Sequence, residues 1–131
     1  MQIEGRKPMT IIEAINRIDA INPNNYTQPE KVAWLSTLDG VIKKEIIDTH
    51  EGAEKVTFSG YKEETPLDTE LLVPAPYDEV YLFWLQSKID YWNGELGKYN
   101  NSIAMYNTAY SNFEKAYNRE HKPISKKIKF F

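Results

Sequence analysis

The side chains that could do chemistry are few. His50 and His121 are the two imidazoles of a 131-residue chain that has no cysteine. Without thiols, disulfides, thiolate metal sites and cysteine nucleophiles are excluded. Each histidine lies beside a predicted helix end, where imidazoles commonly meet free carbonyls. Glu45, Asp48 and Glu51 near His50 form a loose acidic cluster, not a spaced set such as His-Glu-x-x-His. Gly94-Glu95-Leu96-Gly97 is followed by Lys98, but no strand leads into it as a phosphate-binding loop requires. Ser59-Gly60 and Ser102 have no histidine at a distance suited to a nucleophile. Asp78/Glu79 and Glu63/Glu64 are adjacent carboxylates, the pattern of a solvated surface rather than of a glycosidase pair. No catalytic residue, metal ligand or cofactor is assigned, and the expectation is a protein that is not an enzyme.

What the residue types do supply is aromatic surface. Seven of the nine tyrosines and two of the three tryptophans fall between Tyr77 and Arg119. From Leu82 through Leu85, Ile89, Trp92, Leu96, Tyr99, Ile103, Tyr106, Tyr110 and Phe113 to Tyr117 the steps alternate strictly between 3 and 4. That is one apolar stripe on α-helix. Tyr77, Tyr81, Phe83, Trp84 and Tyr91 lie off the stripe, and a helix apolar on most sides is buried on most sides. Part of this surface must be an ordinary helix-pair core. The remainder exceeds what so small a chain can cover, and tyrosine and tryptophan suit interfaces because one end can be apolar and the other wet. Tyr77, Tyr81, Trp84, Tyr91, Trp92, Tyr99, Tyr106 and Tyr110 are the candidate subunit or partner surface. Asn93, Asn100, Asn101, Asn107, Asn112 and Asn118 share the segment. Asparagine is a middling helix former, so they read either as solvated face or as amides bonding between subunits.

Composition bounds the rest. Apolar content of 41% and charged content of 27% are those of a globular protein. A net charge of −3 argues against a generic nucleic-acid binder, and with few interleaved arginines against single-strand stacking. The first residues lack the apolar run of a secretory signal, and no stretch approaches the length of a membrane span. A soluble product of one domain is expected.

The elements that position these residues are legible in outline: a mainly α, small helical bundle built on a C-terminal antiparallel helix pair. Residues 1–9 read as a flexible lead-in. Thr10 with Glu13 and Thr27 with Glu30 are capping boxes, each opening a helix. The first helix ends near Asn22, because Pro23 disfavours helix in the residue before it. The second covers about 28–48, with Gly40 a weak point, and residues 10–48 form an N-terminal helix pair. Residues 50–76 lose the helical period. Val56 and Phe58 alternate with polar neighbours and Leu71-Leu72-Val73 is a short apolar run, so this reads as an extended connection with one or two short strands. Two arrangements fit 77–119. One is a single helix of about 65 Å at 1.5 Å per residue. The other is a hairpin of 77–93 and 95–119 closed by Asn93-Gly94, the residue pair of a helix stop. The unbroken phase favours the first; the paired glycines and the size of a compact domain favour the second, which is preferred. In the tail, 120–131, Ile124, Ile128 and Phe130 share a face if extended. It reads as a lysine-solubilised terminus or as a docking strand ending in Phe131.

The runs Leu71-Leu72-Val73-Pro74-Ala75-Pro76-Tyr77-Asp78-Glu79-Val80-Tyr81, Lys88-Ile89-Asp90-Tyr91-Trp92-Asn93-Gly94-Glu95, Tyr99-Asn100-Asn101-Ser102 and Ala109-Tyr110 resemble a small protein of the structural gene clusters of tailed phages and prophages of Gram-positive bacteria. That group is similar to the head–tail connector (adaptor) proteins, and the likeness covers about residues 65–120. It implies a virion subunit, made in the bacterial cytoplasm, whose copies form a ring on the portal around a channel for DNA. It also implies portal protein and a further head-completion or tail component as partners, and a docking role for Ile124, Ile128, Phe130 and Phe131. Neither sequence-specific nucleic-acid binding nor membrane contact is implied. The competing class is a small intracellular helical binding module, for which Tyr91…Gly94…Tyr99 offers an echo of tetratricopeptide repeats.

Overall fold

Thr10 and Glu13 begin the first helix as their spacing dictates. The Glu13 N–H donates to Thr10 Oγ1 at 3.2 Å and the Thr10 N–H to Glu13 Oε1 at 2.9 Å. Thr27 and Glu30 repeat the arrangement at 3.2 and 2.8 Å. The computed structural model describes residues 8–124. Its helices are α1 (Ile11–Ile21), α2 (Gln28–Glu45), α3 (Glu79–Trp92) and α4 (Leu96–Glu120), with 3-10 turns at Ile47–Thr49 and Ala53–Lys55. The protein is thus a mainly helical small bundle. Asn22 caps the end of α1, as Pro23 requires. Lys31, buried at the start of α2, ties back to Asp19 of α1 at 2.7 Å.

The layering follows from α3. It touches each of the other three helices, and its Val80, Tyr81, Leu85 and Ile89 are enclosed. They meet Ile11, Ile15 and Ile18 of α1 and Leu35, Leu38 and Ile42 of α2 in one apolar core. Its all-round apolarity therefore has an explanation within one chain: it is the central helix. On its other side lies α4. Tyr77 pairs with Phe113 (ring centroids 6.2 Å), Trp84 with Tyr106 (4.9 Å) and Tyr91 with Tyr99 (5.5 Å). Each advance of seven toward the end of α3 is matched by a retreat of seven along α4, so the two run antiparallel. The turn between them is a Schellman motif: the Glu95 N–H donates to the Asp90 carbonyl and the Gly94 N–H to the Tyr91 carbonyl, both at 3.0 Å. Gly94 sits at φ +75°, left-handed backbone that a Cβ disfavours.

Two expectations are corrected. No strand forms across 50–76; among the described residues the only β pairings are the isolated bridges Thr10↔Glu70 and His50↔Pro123. The segment instead serves α1, whose free N-terminal donors need acceptors. Ile11 N–H reaches the Thr69 carbonyl at 3.0 Å and Ile12 N–H the Leu67 carbonyl at 2.9 Å. Leu71 and Val73 join the core of their own chain. Of the expected lead-in, Met9 is instead buried and its carbonyl accepts from Leu71 N–H at 2.8 Å, while residues 1–7 lie outside the described residues. The other end of the described chain is held similarly: Glu51 N–H donates to the Lys122 carbonyl (2.8 Å) and Ile124 N–H to the Thr49 carbonyl (2.9 Å).

Candidate interaction surface

The eight aromatic candidates separate into three groups. Tyr81 is wholly enclosed, donating to Asp39 and accepting from the Val73 N–H at 2.7 Å. It cannot line an external surface, and its place among the interface residues is withdrawn. Tyr77, Trp84, Tyr106 and Tyr110 are half-buried on the α3–α4 seam and its border with α2. There Trp84 Nε1–H donates to the Trp34 carbonyl (2.8 Å) and the Tyr110 hydroxyl to Glu45 Oε1 (2.8 Å). Burial, aided by the Glu45 charge, pushes the Tyr106 hydroxyl up to about 12. Tyr91 and Trp92 remain open at the hairpin end, 51% and 60% exposed, with Tyr99 half-buried beside them.

The open end is more apolar than those residues alone suggest. Leu96 is 65% and Met105 50% exposed. Tyr91 and Trp92 meet edge to face at 5.2 Å, and Lys88 Nζ lies 4.7 Å over the Trp84 ring. Trp84, Ser87, Lys88, Tyr91, Trp92, Tyr99 and Ile103 bound a groove of about 390 Å³, with Leu96 and Met105 outside it. One buried contact ties α4 to α3: Ser102 Oγ–H donates to Asp90 Oδ2 at 2.9 Å, while Gln86 Nε2, one turn earlier on α3, donates to Asp90 Oδ1 at 3.1 Å. The sequence reading did not single out Lys88, Met105 or this Asp90–Ser102 clasp. Lys88 is adjacent to Ile89 on α3 and so could have been placed at the seam's edge; a polar pair twelve residues apart gives no periodic signal.

The histidines do not form a reactive pair. His50 is buried, with Nδ1 2.6 Å from the Ile46 carbonyl and Nε2 2.7 Å from Asn118 Oδ1. Both ring nitrogens are thus occupied. His121 stacks on Tyr117 at 3.8 Å. Among the described residues no group of three or more potential ligands converges for a metal, and no helix is long and apolar enough to cross a membrane. Of the six asparagines, Asn118 serves His50, and Asn93 accepts from the Tyr26 hydroxyl at 2.7 Å. Asn100, Asn101, Asn107 and Asn112 face outward. Of the tail candidates, Ile124 is exposed, while Ile128, Phe130 and Phe131 lie outside the described residues. No protein-family model matches the chain, and comparison with curated proteins and with solved structures finds no match.

Proposed function

We propose that this chain is a non-enzymatic structural subunit of a tailed phage, a head–tail connector whose copies close into a ring on the portal. The observation that carries the reading is the open hairpin end. Tyr91, Trp92 and Leu96 stay more than half exposed in the free chain, whereas Tyr81 and Phe113 are buried and Tyr77, Trp84, Tyr106 and Tyr110 are half-buried against the chain's own core. Exposed apolar clusters of this kind mark places where proteins meet, and large aromatics dominate interface energetics. The resemblance over 65–120 supplies the biological setting: portal protein on one side, a further head-completion or tail component on the other, and the virion as destination. Membrane and sequence-specific nucleic acid are not partners in this reading.

The second reading, a small helical module that grips a peptide, is favoured by one feature: the groove bounded by Trp84, Lys88, Tyr91 and Tyr99. Light scattering on the purified chain, with and without portal protein, separates the two. Discrete high-order assemblies or portal-dependent complexes support the connector. A monomer at every concentration, indifferent to portal protein, removes it and leaves the module.

A further inference from the structure

The body of the chain and its last seven residues differ in sign. Residues 8–124 hold eleven basic and eighteen acidic side chains, a net charge of −7, whereas 125–131 add three lysines, Lys126, Lys127 and Lys129, and no acid. The same seven residues carry three large apolar side chains, Ile128, Phe130 and Phe131. A segment of this kind calls for a groove that is apolar within and acidic at its rim.

The groove between the first turns of α2 and the 61–67 connection has that character. Its volume is about 280 Å³, with Pro29, Val32 and Ala33 on one wall and Tyr61 and Leu67 on the other. Of its lining charges, Lys62 is offset by Glu63, and Glu64 and Asp68 adjoin the lining in sequence. All three carboxylates are exposed, and none takes part in an ion pair among the described residues. Other grooves match less well. The one at the hairpin end is lined by Lys88 and by no carboxylate. The one over α1 has Glu13 and Asp78, but its apolar lining is confined to Met9 and Ala20.

We infer that residues 125–131 of a second copy dock in this groove, with Ile128 and Phe130 inside and the lysines over Glu63, Glu64 and Asp68. Reach excludes the chain's own segment. Ile124 N–H is bonded to the Thr49 carbonyl, beyond the far end of α2. Ile128 is four residues further on and extends at most about 14 Å, while α2 alone runs about 18 Å from Glu45 back to Ala33. Donor segment and groove are different patches, so the contact is head-to-tail and passes from copy to copy until it closes as a ring. The inference thus rests on the proposed self-assembly and names one of its contacts.

The lack of cysteine allows a direct test in the full chain. Ala33→Cys and Phe131→Cys are placed on separate chains, mixed and mildly oxidised. They should form the mixed disulfide about tenfold faster than Phe131→Cys with the exposed control Asn107→Cys, because docking raises the local thiol concentration. Lys126→Glu, Lys127→Glu and Lys129→Glu together should remove the advantage. Glu63→Lys, Glu64→Lys and Asp68→Lys, introduced in the Ala33→Cys chain, should then restore it, which a mere loss of folding would not. A mixed disulfide no faster than the control overturns the inference. So does a double variant, Ala33→Cys with Phe131→Cys, that closes on itself as a monomer. Equal cross-linking by a chain with residues 125–130 in reversed order would mean that the groove takes any basic apolar segment, and would overturn it too. If the contact fails while portal-dependent complexes still form, the connector role stands without it. A fast mixed disulfide with no larger assembly, with or without portal protein, upholds the contact and counts against the ring.

Discussion

The Tyr81 hydroxyl of α3 donates to Asp39 Oδ1 of α2 at 2.6 Å, across 42 residues of sequence and in full burial. Asp39 Oδ2 accepts from the Tyr61 hydroxyl at 2.5 Å and from the Leu72 N–H at 3.1 Å. One carboxyl thereby fixes two helices and both ends of the 61–72 connection. Asp39→Ala should lower unfolding free energy by about 3–5 kcal/mol, since it strands buried donors. Urea denaturation measures it, and a loss below about 1 kcal/mol would mean that water replaces the carboxyl.

The same carboxyl sets a pH response. Burial pushes Asp39 above 3.8, against the pull of its hydrogen bonds from Tyr61, Tyr81 and Leu72. The folded carboxyl then holds its proton more tightly than the unfolded one. Its contribution is full below 3.8 and is lost as pH rises through the folded value. The stability of the wild type relative to Asp39→Asn, followed by urea titration from acid to neutral pH, should therefore decline. A relative stability that rises instead reverses the assigned direction.

At the alkaline end, burial and the Asp39 charge raise the Tyr61 and Tyr81 hydroxyls above 10.0. Stability is therefore retained below pH 10.0 and lost as pH climbs above it, because the unfolded phenols ionise first. Absorbance at the phenolate band should show Tyr81 ionising only with the loss of helical circular dichroism. Full phenolate signal from a still-folded protein would contradict its enclosure.

Two glycines should respond oppositely. Gly40 lies inside α2, where a Cβ would stand 3.7 Å from Phe58 Cε2, ordinary contact. Gly40→Ala should stabilise by about 1 kcal/mol. Gly94→Ala forces a side chain into φ +75° and should cost about 1–2 kcal/mol. Thermal melts of the pair check both signs.

Trp92→Ala and Leu96→Ala should each change stability by less than about 0.5 kcal/mol, because both side chains are mostly in solvent. Both should weaken the proposed ring assembly, followed by light scattering. Unaltered assembly in the double variant would remove the hairpin end from the proposed ring contact.

How far the letters led is instructive at particular positions. Thr10, Thr27, Pro23 and Gly94 act through rules that operate within a few residues, and each marks its boundary in the structure. The unbroken 3–4 phase across Gly94 was ambiguous for a physical reason: each arm buries only part of the stripe, Leu85 and Ile89 on α3 and Phe113 on α4, while Trp92 and Leu96 flank the turn in solvent, so the period alone does not mark the break. Asp39 was missed although a signal existed, for it falls four residues after Leu35 and three before Ile42, in phase with the buried face. The role of 50–76 was not legible. It completes the hydrogen bonding of α1 from far along the chain, and no local pattern encodes such a partner.

The anchoring of residues 122–124 to 49–51 and the hairpin turn at Gly94 lie at the two ends of α4, whose 25 residues span about 37 Å. Whatever is held at one extremity is kept a fixed distance from whatever is held at the other. A force applied between them would run along a single helix laid against the bundle.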